Sequence, residues 1–315
     1  MTKLKLLITG SCGFTMSNFI RRAIYEKRPY NFVSIDKITK SSILNNIYSN
    51  KSHSFYIGDI ADKHFVNIIF EYEKPDIILH SAAETISTNS DTIINSNILG
   101  TQTLIDASIK YNVKKFIYVS TYAAYGQLEN DKDLPWKEDA ALNPRNLYTA
   151  SKAAGELIVK AANASNGINY CITRSSNIYG PRQSAEKLIP KTIKSILEDK
   201  KITIYDQGLQ MRDFTHVFDD SSALLKILES GENNSIYNIS ANQEYTNIEV
   251  VNEICNVMGK GHNLISFCDR PGHDFRRAAD SSKIRELGWE PKFKFKQGII
   301  QNINWFLTNK FFLDI

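Results

Sequence analysis

The chain is poor in the residues that build stapled or metal-bound scaffolds. Its 315 residues include only four cysteines, Cys12, Cys171, Cys255 and Cys268, with no C-x-x-C spacing and no histidine-rich neighbourhood. That argues against a zinc site and a disulfide framework, and fits a reducing compartment. Glycine (15) and proline (8) are sparse, and neither an internal repeat nor a low-complexity linker breaks the chain. Charge of one sign is also lacking. Lys and Arg number 38 against 34 Asp and Glu, and the net +4 is scattered rather than clustered. Nucleic-acid binding is therefore not expected; the best candidate for it, "YNVKKF", reads more simply as a turn entering a strand. No run approaches the roughly 20 apolar residues of a membrane span. The N-terminal "MTKLKLLITG" has lysines before only about five apolar residues, short of the roughly 7–15 of a signal core. These absences predict a soluble cytoplasmic protein with no metal and no membrane contact.

Present instead is ordinary globular composition, 42% hydrophobic and 23% charged, in a chain long enough for one large or two closely packed domains. "KLLIT", "FVSID", "SFYIG", "DIILHSA", "KFIYVS" and "YCITR" read as buried strands. Between them, "MSNFIRRAIYEK", "HFVNIIFEYE", "NILGTQTLIDASIKY" and "SKAAGELIVKAANAS" carry apolar residues at helical intervals. This alternation predicts an α/β fold, a doubly wound parallel sheet covered on both faces. After "YGPR" the pattern becomes irregular. We expect a first domain over residues 1–173, with part of 217–240 packing back on it. A smaller C-terminal substrate-binding domain would span 174–315.

"ITGSCGFTMSN" follows the first strand and opens the first helix. Gly10 permits a tight turn, and Gly13 with Phe14 brings backbone and a helix N-terminus to a pyrophosphate. About twenty residues on, Asp36 ends the second strand, where it can accept hydrogen bonds from a ribose 2′-hydroxyl and repel a 2′-phosphate. That predicts a Rossmann-type site for NAD rather than NADP. Asp59 and Ile60 fit the adenine pocket, and Ala82 and Ala83 would pass under the cofactor. Met16 stands where a third small residue is usual. Farther on, "LYTASK" places Tyr148 and Lys152 four apart, on one helix face. A neighbouring ammonium and a positive nicotinamide lower the pKa of a tyrosine so that it can act as base. Lys152 can also hold the nicotinamide ribose, and Thr121, ending a strand, can bind the substrate hydroxyl.

The glycine motif, Asp36, the Thr–Tyr–Lys set and "YGPR" resemble the extended short-chain dehydrogenases/reductases that modify nucleotide sugars. "EKLIPKTI", "QMRDFTHVFD" and "DRPGHDFRRAADSSKIRELGWEPK" look most like the dTDP-glucose 4,6-dehydratases. The resemblance implies that Asn177, Lys187, Leu188, Arg212, Asn247 and Arg270 hold a UDP- or dTDP-hexose. Arginine forks suit a diphosphate on chemical grounds too. His273 is read as structural. The resemblance also implies a homodimer through helices near residues 92–110 and 149–165.

"VSTYAAYG" departs from that family. The dehydratases read S-T-D-E-V-Y-G there, the Asp serving as acid at O6 and the Glu as base at C5. Tyr122 and Ala123 replace the pair. Tyr122 could act as the acid and Glu84 as the base. Such a relocated base would allow inversion at C5. The stretch is also similar to the S-S-A-x-V-Y-G of UDP-galactose 4-epimerases, which need no C5 chemistry. The C-terminal signatures favour the 4,6-dehydratase, because they shape the sugar-nucleotide pocket over many residues. A 4-epimerase is the second reading, and an inactive sugar-nucleotide-binding protein the third.

Overall fold

In the computed structural model, residues 3–39, 42–47, 50–85, 89–269 and 274–314 are described. The strands in chain order are β1 (Leu4–Thr9), β2 (Tyr30–Asp36), β3 (His53–Ile57), β4 (Ile77–His80), β5 (Lys115–Thr121), β6 (Tyr170–Ser175) and β7 (Asn177–Tyr179). After them come β8 (Ile202–Tyr205), β9 (Met211–His216), β10 (Ser235–Ile239), β11 (Glu244–Thr246), β12 (Ile265–Cys268) and β13 (Arg276–Arg277). The helices are α1 (Phe14–Tyr25), α2 (Lys63–Glu73), α3 (Ser90–Ile94), α4 (Gly100–Lys110) and α5 (Leu147–Asn166). The second half adds α6 (Leu188–Leu197), α7 (Val217–Ser230), α8 (Asn247–Met258), α9 (Ser282–Glu286) and α10 (Phe295–Thr308).

Seven strands form one sheet in the order β10-β6-β5-β4-β1-β2-β3, every neighbouring pair parallel. Side chains alternate across it, so the apolar runs feed two cores. Leu6, Ile8, Leu79 and Ile117 face Phe19 and Ile20 of α1 and Leu224 of α7. Leu7, Ile78, Phe116 and Tyr118 face Phe70 of α2, Leu104 of α4 and Val159 of α5. Met16 is 1% exposed within the first of these cores, and α1 still starts directly after Gly13.

The chain leaves the sheet after Ser175 and enters β7, which pairs with β9; β11 and β13 flank β9 on its two edges. It returns through α7 and β10 to close the sheet beside β6. A third core, with Ile193 of α6, Val250 and Ile254 of α8 and Ile299 and Phe306 of α10, fills the second lobe. Strand order reverses at the β1–β4 junction, and in such sheets ligands bind outside the carboxyl ends at that point. Among the described residues, no helix is long and apolar enough to cross a membrane.

Candidate active site

A cleft of about 540 Å³ opens there, lined from the sheet by residues ending β1, β2, β4 and β5 and from the second lobe by residues of β7 and α6. Its cofactor half is built by close backbone approach. Gly10 has φ +72°, its N–H donates to Ile35 O at 2.9 Å, and a Cβ on it would stand 2.8 Å from Ala82 Cα. Gly13 caps α1 without a side chain, which leaves the first helical amides to an anion. Asp36 is buried at the end of β2, and its carboxylate accepts from Cys12 N, Ile38 N and Ser42 Oγ, each at 2.9 Å. Phe14, Asp59, Ile60, Ala82 and Ala83 line the same half. Beneath them His80 bridges Thr9 Oγ1 and Thr101 Oγ1, and Thr9 Oγ1 accepts from Ala82 N at 3.1 Å. The glycine cradle and the fixed carboxylate fit a dinucleotide with a free 2′-hydroxyl.

Thr121, Tyr148 and Lys152 line the other half of the cleft. Thr121 Oγ1 accepts from Ala123 N at 3.2 Å and starts a four-residue 3₁₀ turn, Tyr122–Tyr125. α5 begins with a capping box between Asn146 and Thr149, which brings Tyr148 into its first turn and Lys152 one turn on. Burial raises the Tyr148 pKa to about 12, and the Arg277 guanidinium works against that rise. Burial lowers Lys152 to about 7, opposed by Glu156. The Lys152 ammonium stands 4.1 Å over the Tyr118 ring.

Tyr122, read from the sequence as a candidate acid, is absent from the described residues lining the cleft. The side chain is 1% exposed, packs with Tyr125, Ala279 and Trp136, and donates from its hydroxyl to Asn177 Oδ1 at 3.1 Å. Burial raises its pKa. The hydroxyl is enclosed and committed to Asn177, which itself lines the cleft. Ala123 reaches the cleft wall with only a methyl group. Glu84 lines the cleft, but its carboxylate stands 3.7 Å from Lys37 Nζ, which is also 3.8 Å from Asp59. Asn97, in a short π-helical stretch between α3 and α4, holds the Glu84 backbone and also donates to Ser151 Oγ.

The cleft wall of the second lobe carries Asn177, Lys187 and Leu188. Lys187 is the N-terminal cap residue of α6, and burial lowers its pKa. Among the described residues lining the cleft, Arg212 and Asn247 are absent. Arg212 is buried and spends its guanidinium on the carbonyls of Met211, Asp274 and Phe275. Asn247 opens α8 and donates to Gln210 Oε1 at 3.2 Å. Arg270 and His273 lie outside the described residues.

Two features were not anticipated from the sequence. Arg277 lines the cleft, and the doubled arginine of "DFRRAAD" was its only signal. Alternation along β13 sends Arg276 to Glu244 at 2.6 Å and its neighbour to the cleft. Behind the Tyr122–Tyr125 turn, Arg174 and Glu156 form an ion pair at 2.7 Å with 1% and 0% exposure.

This fold and this cleft define a class. The NAD dependent epimerase/dehydratase family model matches residues 6–240, and the chain belongs to that family. Within it, the human dTDP-D-glucose 4,6-dehydratase is 36% identical over 321 residues, covering 97% of this chain and 90% of that one. The crystal structure of dTDP-glucose 4,6-dehydratase from Bacillus anthracis in complex with NAD is similar with a TM-score of 0.93 and 34% identity, covering 99% of each chain. A UDP-glucose 4-epimerase from Thermotoga maritima, solved with UDP-glucose, gives a TM-score of 0.90 and 27% identity over 98% of this chain and 100% of that one.

Proposed function

We propose that the chain is an NAD-dependent nucleoside-diphosphate-hexose 4,6-dehydratase working through a 4-keto sugar. The observation that carries this reading is the meeting of Thr121, Tyr148 and Lys152 with the glycine cradle in one cleft. The near full-length likeness to 4,6-dehydratases supports it. NAD, when bound, would supply the hydride acceptor for oxidation at sugar C4 and the hydride donor for the later reduction. Tyr148 takes the O4 proton, and Thr121 Oγ1 holds O4 by hydrogen bond. Lys152, on the same cleft wall, would hold the ribose of the bound NAD. Asn177 and Lys187 hold the diphosphate side of the sugar nucleotide. The ketone at C4 acidifies the C5 proton, and Glu84 is the cleft carboxylate proposed to remove it. That move requires Glu84 to turn from Lys37. A base outside the usual Asp–Glu pair is also compatible with inversion at C5.

A 4-epimerase is the second reading. It is favoured by Ala123 on the cleft wall and by the Lys37 contact of Glu84. The protein is further proposed to be cytoplasmic and to form a homodimer through α3, α4 and α5. Ile94, Leu99 and Leu157 on and beside these helices are 38%, 50% and 60% exposed.

A proton NMR time course in D₂O separates the readings, with dTDP-glucose, UDP-glucose and UDP-GlcNAc in separate tubes. The dehydratase yields a new C6 methyl signal with deuterium at C5, and the coupling pattern reports retention or inversion. A shifted H4 with C6 still hydroxylated and no deuterium gained means epimerase. No change with any of the three supports an inert binding protein.

A further inference from the structure

We propose that His80 is a positioning residue, a neutral imidazole with its proton on Nε2 that ties the cofactor floor to the helix carrying Tyr148. The proposal rests on the reading of the cleft as a site of hydride transfer to NAD. His80 ends β4 and is fully buried. Its two ring nitrogens meet two threonine hydroxyls, Nδ1 with Thr9 Oγ1 at 2.7 Å and Nε2 with Thr101 Oγ1 at 2.9 Å. A count of donors and acceptors places the protons. Thr101 Oγ1 donates its only proton to Asn97 O at 2.7 Å, so it accepts from His80 Nε2. Thr9 Oγ1 accepts from Ser81 N at 3.2 Å and from Ala82 N at 3.1 Å, and gives its own proton to Nδ1. The opposite tautomer would leave the Thr9 hydroxyl proton with no acceptor among the described residues. A second ring proton would do the same.

The relay ends on the cofactor floor at one side and on α5 at the other. Thr9 precedes Gly10, and Ala82 passes so close that a Cβ on Gly10 would stand 2.8 Å from its Cα. The two amides on Thr9 Oγ1 therefore fix the height of the loop after β4 against the glycine cradle. At the far end Thr101 holds Asn97 O. The Asn97 side chain binds both backbone groups of Glu84 and donates to Ser151 Oγ at 2.9 Å. Ser151 Oγ donates in turn to Tyr148 O at 2.7 Å. The His80 ring is held against Tyr118 at 5.5 Å and Phe116 at 6.0 Å between centroids. The Lys152 ammonium stands 4.1 Å over the same Tyr118 ring, and Glu156, one turn further along α5, is committed to Arg174. A charged imidazole would therefore share the Tyr118 ring with a second cation. Burial and the Lys152 charge both hold the His80 pKa well below the usual histidine range. A neutral imidazole contributes geometry, and geometry shows in turnover per bound NAD.

The test joins a spectroscopic reading of wild type to the turnover of variants. Histidine nitrogen-15 shifts are recorded on the NAD-loaded protein, with His80 identified as the ring absent from H80Q or H80F. Nε2 should be protonated and Nδ1 an acceptor, with neither moving from about pH 5 to about pH 8. Turnover of dTDP-glucose, or of UDP-glucose if only that reacts, is measured per bound NAD for wild type, H80F, H80Q and T101V. H80F and T101V break the relay without adding charge. Each should lower kcat by about 10- to 100-fold while KM for the sugar nucleotide changes by less than about two-fold. H80Q, whose amide can still accept and donate, should recover part of the loss. T101V serves alone if H80F does not fold. A ring protonated on Nδ1, or one that titrates in that range, overturns the proposal whatever the turnover of the variants. Unchanged kcat per bound NAD in H80F and T101V overturns it too, even with a lowered melting temperature, because the imidazole then only packs. A wild type that turns over neither sugar nucleotide sinks the hydride-transfer reading. In that case the bound NAD per chain decides the relay: its loss in H80F and T101V supports a held cofactor floor, and full retention overturns it.

Discussion

Tyr122 sits one residue past Thr121, with its ring among Tyr125, Ala279 and Trp136 and its hydroxyl on Asn177. At the position where the resemblance to the dehydratase motif implies Asp, this chain has a buried tyrosine hydrogen-bonded to Asn177. A neutral hydrogen bond of this kind contributes about 1 kcal/mol net. Tyr122→Phe should therefore lower the urea midpoint by an amount worth about 1 kcal/mol and raise KM for the sugar nucleotide more than it lowers kcat. Water loss should continue. Denaturation curves and steady-state kinetics on the same preparation check both parts. A fall in kcat of about 100-fold or more with C4 oxidation preserved would return Tyr122 to the role of acid.

At the level of elements, the Tyr122–Tyr125 turn is held from beneath by a buried polar network. Glu156 on α5 accepts from Ser120 Oγ of β5 at 2.6 Å and from Arg174 of β6. Arg174 also donates to Tyr125 Oη at 2.6 Å and to Glu138 O, and Tyr125 Oη donates to Asn238 of β10. Three elements, β5, β6 and α5, thus meet at one ion pair, and β10 joins the network through Tyr125. Removing one partner of such a pair leaves a buried charge and costs about 3–5 kcal/mol. Glu156→Gln should lose that much stability by urea unfolding, and a double variant with Arg174→Met should recover a large part of it. If the single variant is as stable as wild type, the pair is not what holds the turn. The network also marks where sequence reasoning stops. The strands and helices of the sheet were legible because their apolar residues keep a period of two or about 3.6 over whole elements. Tyr148 and Lys152 were legible because four residues is one helical turn. The direction of Tyr122 was not, since a four-residue 3₁₀ turn follows neither period. Arg277 was hidden for a similar reason, because β13 is too short to show a pattern and its facing is set by pairing with β9. The carbonyls that occupy Arg212 come partly from Asp274 and Phe275, 62 and 63 residues away in sequence.

For the molecule as a whole, the proposed dimer face and the cleft are mechanically linked. Ile94 and Leu99 bracket the stretch that carries Asn97, and Leu157 lies on α5. Asn97 Oδ1 holds the Glu84 backbone at 2.7 Å, and its Nδ2 holds Ser151 on α5 at 2.9 Å. A partner pressing on these helices therefore presses on the loop after β4 and on the helix that carries Tyr148 and Lys152. Large apolar side chains exposed on adjacent helices favour burial against a second copy, at roughly 25 cal/mol per Å² of apolar area. Each copy would gain stability by mass action. Leu99→Glu combined with Leu157→Glu should shift a dimer to monomer in sedimentation velocity and make the melting temperature independent of protein concentration. Because the cleft loops lose their backing, the monomer should also release NAD more readily, read as bound nucleotide per chain after gel filtration. If the double variant sediments as wild type does, α3 to α5 are not the interface. A monomer that retains its full complement of NAD would show that the Asn97 contacts hold the cleft without a partner.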